Sequence, residues 1–410
     1  MENFQNPVML PHPDLGNLAE VDQMMRGAST TPAGRDSLAK FVIGDDYLRK
    51  LVPLVEVAEE LQALTELHRL SNIMKMLILL NDTQIIEYVA SDDIVLGVVG
   101  ALECGSHSPL LMPTLLTKHS PPLDDQDFPN HKANHRQYLK DRSRFKEVVP
   151  INDPQIEKKI HSTWRLQYLK DVVLARILDD PTFGVLNSLI FFNQVDIVTH
   201  LQKDGNFLKE LFRIIDSPGT ELRKRKDAVC FIQQCCAIAK NLQAPARATL
   251  YKNFIDNGLL NVITFALLHK AASIRIAGTD ILVAMIDHDP SMMRSYIFKA
   301  ISEKKTPLTD TLIELLLIEV DLGVKAQVSD AIKVLLDPQS NPQGQDHLSR
   351  VPTDILSKLR GNTHGNPQTE SFIQNFYDDA AKKLFQPLKN LEKRESCAAS
   401  QVIPRLPEAN

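Results

Sequence analysis

The sequence predicts an all-α protein, an α-solenoid of the armadillo or HEAT type. Three observations carry that prediction: apolar residues recur at helical spacing along most of the chain, internal segments resemble one another, and 410 residues exceed what one compact core holds. Single hydrophobic cores stop growing near ~250–300 residues, so the chain must be several domains or one extended array. With 43% hydrophobic residues, either can bury a large core. The 16 Gly are about half the usual share of ~7% and disfavour turn-dense β architectures.

Tyr47, Leu48, Leu51, Leu54 and Val55 mark one helix face at steps of three and four, and Leu67, Leu70, Ile73, Met74, Leu77 and Ile78 mark the next. Strict alternation, the strand signal, is hardly seen. The internal similarity is clearest where Ile78-Leu79-Leu80-Asn81 is echoed by Ile190-Phe191-Phe192-Asn193. It continues without a gap through Ile85/Ile197, Ile86/Val198, Val89/Leu201, Asp92/Asp204, Val95/Phe207, Leu96/Leu208 and Val99/Leu211. A weaker copy runs from Ile286 through Met292, Met293, Tyr296 and Ile297, and Phe41, Leu48, Leu51 and Val55 match Phe254, Leu260, Ile263 and Leu267. Such units bury their apolar faces only by stacking on neighbours. The copies fix no period; a ruler of ~40–47 residues per helix pair gives roughly six to eight pairs.

The predicted organisation is a helical-repeat domain over 14–337, a linker over 338–368, a C-terminal helix over 369–393 and a frayed tail over 394–410. Within the repeat domain, 105–127 reads as an inserted loop, with Pro109, Pro113, Pro121, Pro122 and an acidic run at Asp124, Asp125 and Asp127. The C-terminal helix carries Phe372, Phe376, Ala380, Leu384 and Leu388, with Pro387 interrupting it. Asn81 and Asn193 read as helix caps, the alternative being an Asn ladder that holds an extended peptide. Asp289-Pro290 has the form of a cap followed by Pro at the first helical position.

The formal net charge of −5 disfavours nucleic acid as the main partner and leaves protein partners open. Five Cys without regular spacing argue against a disulfide framework. Met1 to Leu15 lacks the basic and apolar regions of a signal peptide, and no apolar run reaches the ~18–20 residues needed to span a bilayer, so a soluble intracellular protein is expected.

Catalytic motifs are not found: no phosphate loop, dinucleotide fingerprint, nucleophile elbow or paired CxxC occurs, and no cofactor or metal is expected. His131 and His135 have a metal-compatible spacing, but Lys132 stands where a zincin helix needs Glu, and a polar helix surface explains them better. Cys230, Cys235 and Cys236 read as core residues. Arg223-Lys224-Arg225-Lys226 reads as a solvated helix start, with a nuclear import signal or a contact to an acidic partner as the functional alternatives.

Residues 128–200 are more specific than a generic repeat. With Asp127 immediately before them, they contain Phe128-Pro129, His131-Lys132-Ala133-Asn134-His135-Arg136-Gln137-Tyr138-Leu139, Phe145-Lys146-Glu147-Val148-Val149-Pro150-Ile151 and Lys159-Ile160-His161-Ser162-Thr163-Trp164-Arg165-Leu166-Gln167-Tyr168-Leu169-Lys170-Asp171. With Leu77 to Asp82, Ser91 to Val95, Asn375 to Asp378 and Lys382 to Phe385, this closely resembles the regulatory subunit 3 family of protein phosphatase 4, over about 14–393. The resemblance implies a non-catalytic armadillo-type scaffold that assembles with the phosphatase catalytic subunit and a second regulatory subunit. It further implies service to phosphoprotein clients in DNA-damage recovery and other signalling, in nucleus and cytoplasm. Family members begin with a pleckstrin-homology-like peptide-recognition domain and end in a low-complexity tail, neither of which this sequence is expected to contain. Residues 105–126 stand where the family runs almost directly on, as a lineage-specific loop or a retained intron.

The expected protein-binding residues are Arg136, Arg142, Lys146, Arg165 and Lys170, as partners for acidic groups, and Trp164 with Tyr168 as a hot spot, since interfaces favour Trp, Tyr and Arg. Inter-helix packing is the alternative for the two aromatics. The rival function is an armadillo-type peptide carrier or a scaffold unrelated to phosphatase; a single Trp in 410 residues rules out a repeated Trp ladder.

Overall fold

The computed structural model describes residues 8–103, 134–141, 145–217, 219–337 and 367–395, with backbone alone at 367, 368 and 390–395. The described residues are helical with no strand, as the spacing predicts. The predicted loop at 105–127, most of the predicted linker (338–366) and the tail from 396 lie outside them. The chain divides into two compact units, 1–200 and 201–410.

The first unit holds α1 (Leu18–Ala28), α2 (Pro32–Gly44), α3 (Tyr47–Glu60), α4 (Leu64–Ile78), α5 (Thr83–Val89), α6 (Val95–Glu103), α7 (His135–Lys140), α8 (Pro154–Tyr168) and α9 (Asp180–Leu201), at whose end the division falls. Helix α4 packs on α1, α3, α5 and α6, and α6 packs on α3 and α7. Leu48, Leu51 and Val55 of α3 and Leu67, Leu70, Ile73, Met74 and Leu77 of α4 are buried, so the faces marked in the sequence are the faces that pack. Tyr47 closes the N-terminal side: its buried ring places the hydroxyl 2.8 Å from the Pro11 carbonyl, to which it donates.

The second unit holds α10 (Gly205–Asp216), α11 (Leu222–Ala239), α12 (Ala244–Asp256), α13 (Leu259–Leu267), α14 (Ala272–His288), α15 (Pro290–Ser302), α16 (Leu308–Ile318), α17 (Leu322–Leu336), α18 (Pro367–Asn375) and α19 (Ala381–Glu395). Most helices pack on the one three places along. The chain α10–α13–α16–α19 forms one row, α11–α14–α17 a second, and α15 carries α18. This is the three-helix stacking of an armadillo array, where the sequence ruler assumed pairs. Helices α11, α14 and α17 begin at Leu222, Ala272 and Leu322, a constant step of 50 residues. At that step Ala228, Gly278 and Val328 correspond, as do Ile232, Leu282 and Ile332, and Cys235, Met285 and Leu335; every one is buried. Divergence of side-chain identity hides this period, because any apolar residue of fitting volume satisfies the position. Cys235 and Cys236 are core residues, and burial pushes the Cys235 thiol up to about 12; Cys230 is exposed.

Five helix starts are set by aspartates. Asp82, Asp153, Asp204, Asp289 and Asp321 each accept backbone N–H groups of the first turn, with Pro154 and Pro290 at the first helical positions. The Asp289-Pro290 reading therefore stands. Asn81 and Asn193 are not caps. Asn81 precedes the cap Asp82 and adopts φ 65°, the left-handed turn that a short polar side chain tolerates, while its side chain meets Thr182. Asn193 lies inside the unbroken α9, so the echo between the 78 and 190 segments extends to apolar spacing and not to the helix break.

Helix ends are set by arginines. Arg294 of α15 is buried and donates to the carbonyls of Leu335, Val334 and Asp337 at 2.8, 3.0 and 2.6 Å, taking up the orphan acceptors at the end of α17. Arg275, fourth residue of α14, donates from Nη1 to the His269 and Lys270 carbonyls at 3.0 and 2.7 Å. Its Nη2 donates to Glu319 Oε1 at 2.9 Å, and its Nε pairs with the other oxygen. Glu319 also accepts the Val320 and Asp321 N–H groups, and its side chain is 1% exposed.

The C-terminal segment departs modestly from expectation. A π-helical turn, Phe376–Ala380, joins α18 to α19, Phe372 and Phe376 are buried, and Pro387 lies within α19. Leu388, expected on the apolar face, is exposed.

Two outcomes are expected. A Cβ at Gly278 would lie 2.6 Å from that of Ala266, where α13 and α14 meet, so Gly278→Val is expected to cost about 2 kcal/mol and to lower the melting temperature of the full chain. Arg275 holds the Glu319 carboxyl at about 2, below the ~4.3 of an unfolded Glu. Its contribution is complete above about pH 5 and is lost as pH falls toward 2. Thermal melts across that range should decline less steeply for Glu319→Gln than for the native chain.

Candidate protein-interaction surface

The sequence block expected to meet partners is built on α7 and α8, and its first expected contact residue, Arg136, turns inward. Arg136 donates from Nη1 and Nη2 to both Glu59 oxygens at 2.9 and 2.6 Å, and from Nε to Glu103 Oε2 at 2.8 Å. Its backbone N–H takes the remaining Glu103 oxygen at 2.7 Å. The guanidinium passes over Gly100, where a Cβ would come within 3.1 Å of it. The two carboxylates raise the Arg136 pKa well above the ordinary value, Glu59 contributing most. Arg136 is thus an internal strut tying α7 to α3 and α6. Its guanidinium is engaged by two carboxylates within the unit, where the sequence reading expected it to meet acidic groups of a partner.

Next to the strut lies a strip of aromatic rings. His161, Trp164 and Tyr168 recur along α8 at helical spacing, and Tyr138 and Phe145 lay their rings on them. Tyr138 stacks on Tyr168 at 4.4 Å and 6°, and on Trp164 at 6.2 Å and 21°. Phe145 stacks on His161 at 4.2 Å and meets Trp164 edge-on at 5.9 Å. His135 Nδ1 lies 2.9 Å from the Tyr168 hydroxyl. All six rings are half-buried, so each packs on its neighbours and keeps part of its surface at the solvent. After Tyr168 a π-helical turn, Leu169–Val173, carries Leu169 and Leu174 into the core. Trp164 and Tyr168 therefore both pack between helices and remain within reach of a partner.

The cations around the strip are engaged within the unit. Arg165 donates to the Ala90 carbonyl at 3.1 Å and pairs with Asp92. Lys170 pairs with Asp171 at 2.8 Å and lies over the Phe183 ring at 5.4 Å. Lys146 is exposed. Arg142 and His131 lie outside the described residues. In the second unit Arg223 and Lys224 are exposed at the start of α11, whereas Arg225 and Lys226 are half-buried. Among the described residues no group of three or more His, Cys, Asp or Glu is placed to hold a metal ion, and no helix is long and apolar enough to cross a membrane.

Sequence reasoning missed two features. Glu59 and Glu103 carry no motif that marks them as partners of a residue so distant in sequence. Exposed apolar side chains also line the loops between the first two helices of successive repeats: Leu268, Ile318, Val320 and Leu322, with Val320 88% exposed. Their apolar character shows in the sequence, but their exposure does not.

Comparison with known proteins places this surface in context. A family model described as phosphatase 4 regulatory subunit 3 matches residues 20–112 and 124–407. The gap falls inside the stretch read as inserted. An uncharacterized protein of Schizosaccharomyces pombe is 38% identical over 96% of this chain and 46% of its own length. A Dictyostelium discoideum protein named Suppressor of Mek1 is 31% identical over 98% of this chain and 34% of its own. A Drosophila melanogaster protein named serine/threonine-protein phosphatase 4 regulatory subunit 3 is 30% identical over 83% and 33%. The chain thus spans about half or less of the length of these relatives.

Removing the strut should expose its cost. Arg136→Ala leaves two carboxylates without their cation, Glu103 being only 8% exposed at its side chain, and is expected to destabilise the first unit by about 3 kcal/mol. Arg136→Ala combined with Glu59→Gln and Glu103→Gln should recover part of that loss in a denaturant titration.

Proposed function

The chain belongs to the phosphatase 4 regulatory subunit 3 family, and from that premise we propose that it is a non-catalytic scaffold of a serine/threonine protein phosphatase 4 complex. The extent of the family match carries this reading: it runs through both helical units. The scaffold holds the catalytic subunit together with a second regulatory subunit and brings phosphoprotein clients to them. Bond cleavage and the metal ions it uses belong to the catalytic subunit. The array contributes surface, and holding enzyme and client on one body raises the effective concentration of each near the other. The complex serves DNA-damage recovery and signalling in nucleus and cytoplasm. The half-buried aromatic strip of α8 is the contact assigned to the catalytic subunit, because large rings held rigid by their neighbours lose little entropy on binding.

The test is co-purification of the full chain with the phosphatase 4 catalytic subunit from a lysate, followed by reconstitution from purified proteins. Recovery of the catalytic subunit is expected. A folded, helical chain that fails to bind it would overturn the scaffold reading. Trp164→Leu keeps an apolar side chain and removes the largest ring. It is expected to weaken binding by about tenfold without loss of helicity. Unchanged affinity would remove the strip from the interface and leave the scaffold reading in place.

A further inference from the structure

In the second unit, successive repeats assign the same task to the same position, and one of these positions lacks its counter-charge. Arg275, fourth residue of α14, is closed by the Glu319 carboxylate, which also pins the loop before α17 through the Val320 and Asp321 N–H groups. Fifty residues earlier, Arg225 is the fourth residue of α11. Its Nη2 donates to the Ile215 carbonyl at the end of α10 at 2.6 Å, as Arg275 donates to the carbonyls that follow α13. The position that corresponds to Glu319 is His269. Its Nδ1 accepts the Ala271 N–H at 3.0 Å, the same loop bond that Glu319 makes with Asp321. The loop is therefore pinned in both repeats, but only one has a carboxylate.

The consequence is a notch of cations. Arg225 lies over the Phe265 ring, 4.2 Å from its centroid, and its Nε is buried with no hydrogen-bond partner among the described residues. Burial, then Lys226, Arg275 and Arg225, push the His269 imidazole toward its neutral form, which reports the sign of the charges facing it. Arg223, Lys224 and Lys270 are exposed beside it. The acids nearest along α11 are Glu221 and Asp227, flanking the basic run. Leu222, Leu268 and Ile276 are exposed around the notch.

We propose that this notch, between the start of α11 and the loop joining α13 to α14, binds a carboxylate of an acidic peptide segment on a partner protein. That carboxylate sits against Lys226 and the solvent-facing side of the Arg225 guanidinium, and Leu222 and Leu268 receive an apolar neighbour of the acidic residue. A peptide fits better than nucleic acid because the cations are ringed by apolar side chains rather than extended along a phosphate-spaced track, on a chain of net charge −5. The site stands apart from the phosphatase reading, and its test contains no phosphatase.

The probe is a fluorescein-labelled peptide of alternating Glu and Leu, titrated with the full chain and followed by anisotropy. Arg225→Glu with Lys226→Glu is expected to weaken binding by about tenfold or more. His269→Glu supplies the missing carboxylate from within the chain. It should raise the melting temperature and weaken the peptide by a similar factor, so loss of binding cannot be ascribed to misfolding. Lys333→Glu, on an exposed face of α17, should leave binding unchanged. Three results overturn the proposal: full affinity in His269→Glu, equal loss in Lys333→Glu, or an oligothymidylate of the same charge binding as tightly as the peptide.

Discussion

A helix with one apolar face can hide that face only against another helix, and every feature of this protein follows from how that requirement is met. Leu48, Leu70, Ile232 and Leu282 are completely buried, yet none is enclosed by its own helix. In the second unit the solution repeats every 50 residues, and each new repeat supplies the cover for the last. Close approach is needed where rows meet, which is why Gly278 sits against Ala266.

Stacking of this kind specifies contact without specifying register, because apolar faces slide. Charged groups supply the register. Arg136 reaches from α7 to Glu59 and Glu103 on two other helices, and Arg275 joins α14 to the loop after α16. Arg294 and Arg275 also take up carbonyls left open at helix ends, so the same guanidinium that satisfies the backbone fixes which helix follows which. Such pairs lose hydration energy on burial, and their value lies in the penalty for misplacing them.

What remains for function is the surface that stacking leaves over. Loops and half-buried strips lie between repeats, and their side chains are under less packing constraint than the rows. The aromatic strip of α8 and the loop edge around His269 are two such places, one rich in rings and one in cations. Both depend on a rigid helical frame.

The sequence by itself determined the helical class, the core faces and several helix starts, because periodicity and Asp or Pro at a first turn are local physics. Leu67 to Ile78 and Asp289-Pro290 needed no partner to be legible, and the family resemblance was equally a property of contiguous residues. The roles of the charged residues were decided only by tertiary structure. Arg136 and Arg165 read as outward-facing cations until packing brought Glu59, Glu103 and Asp92 beside them. Asn81 lost the cap to Asp82 because the turn closing α4 required a left-handed residue at that point. The 50-residue period stayed hidden for the same reason: burial constrains volume, and volume leaves little trace in residue identity. That His269 stands where the next repeat has Glu319 is visible only once the helix starts give the 50-residue step.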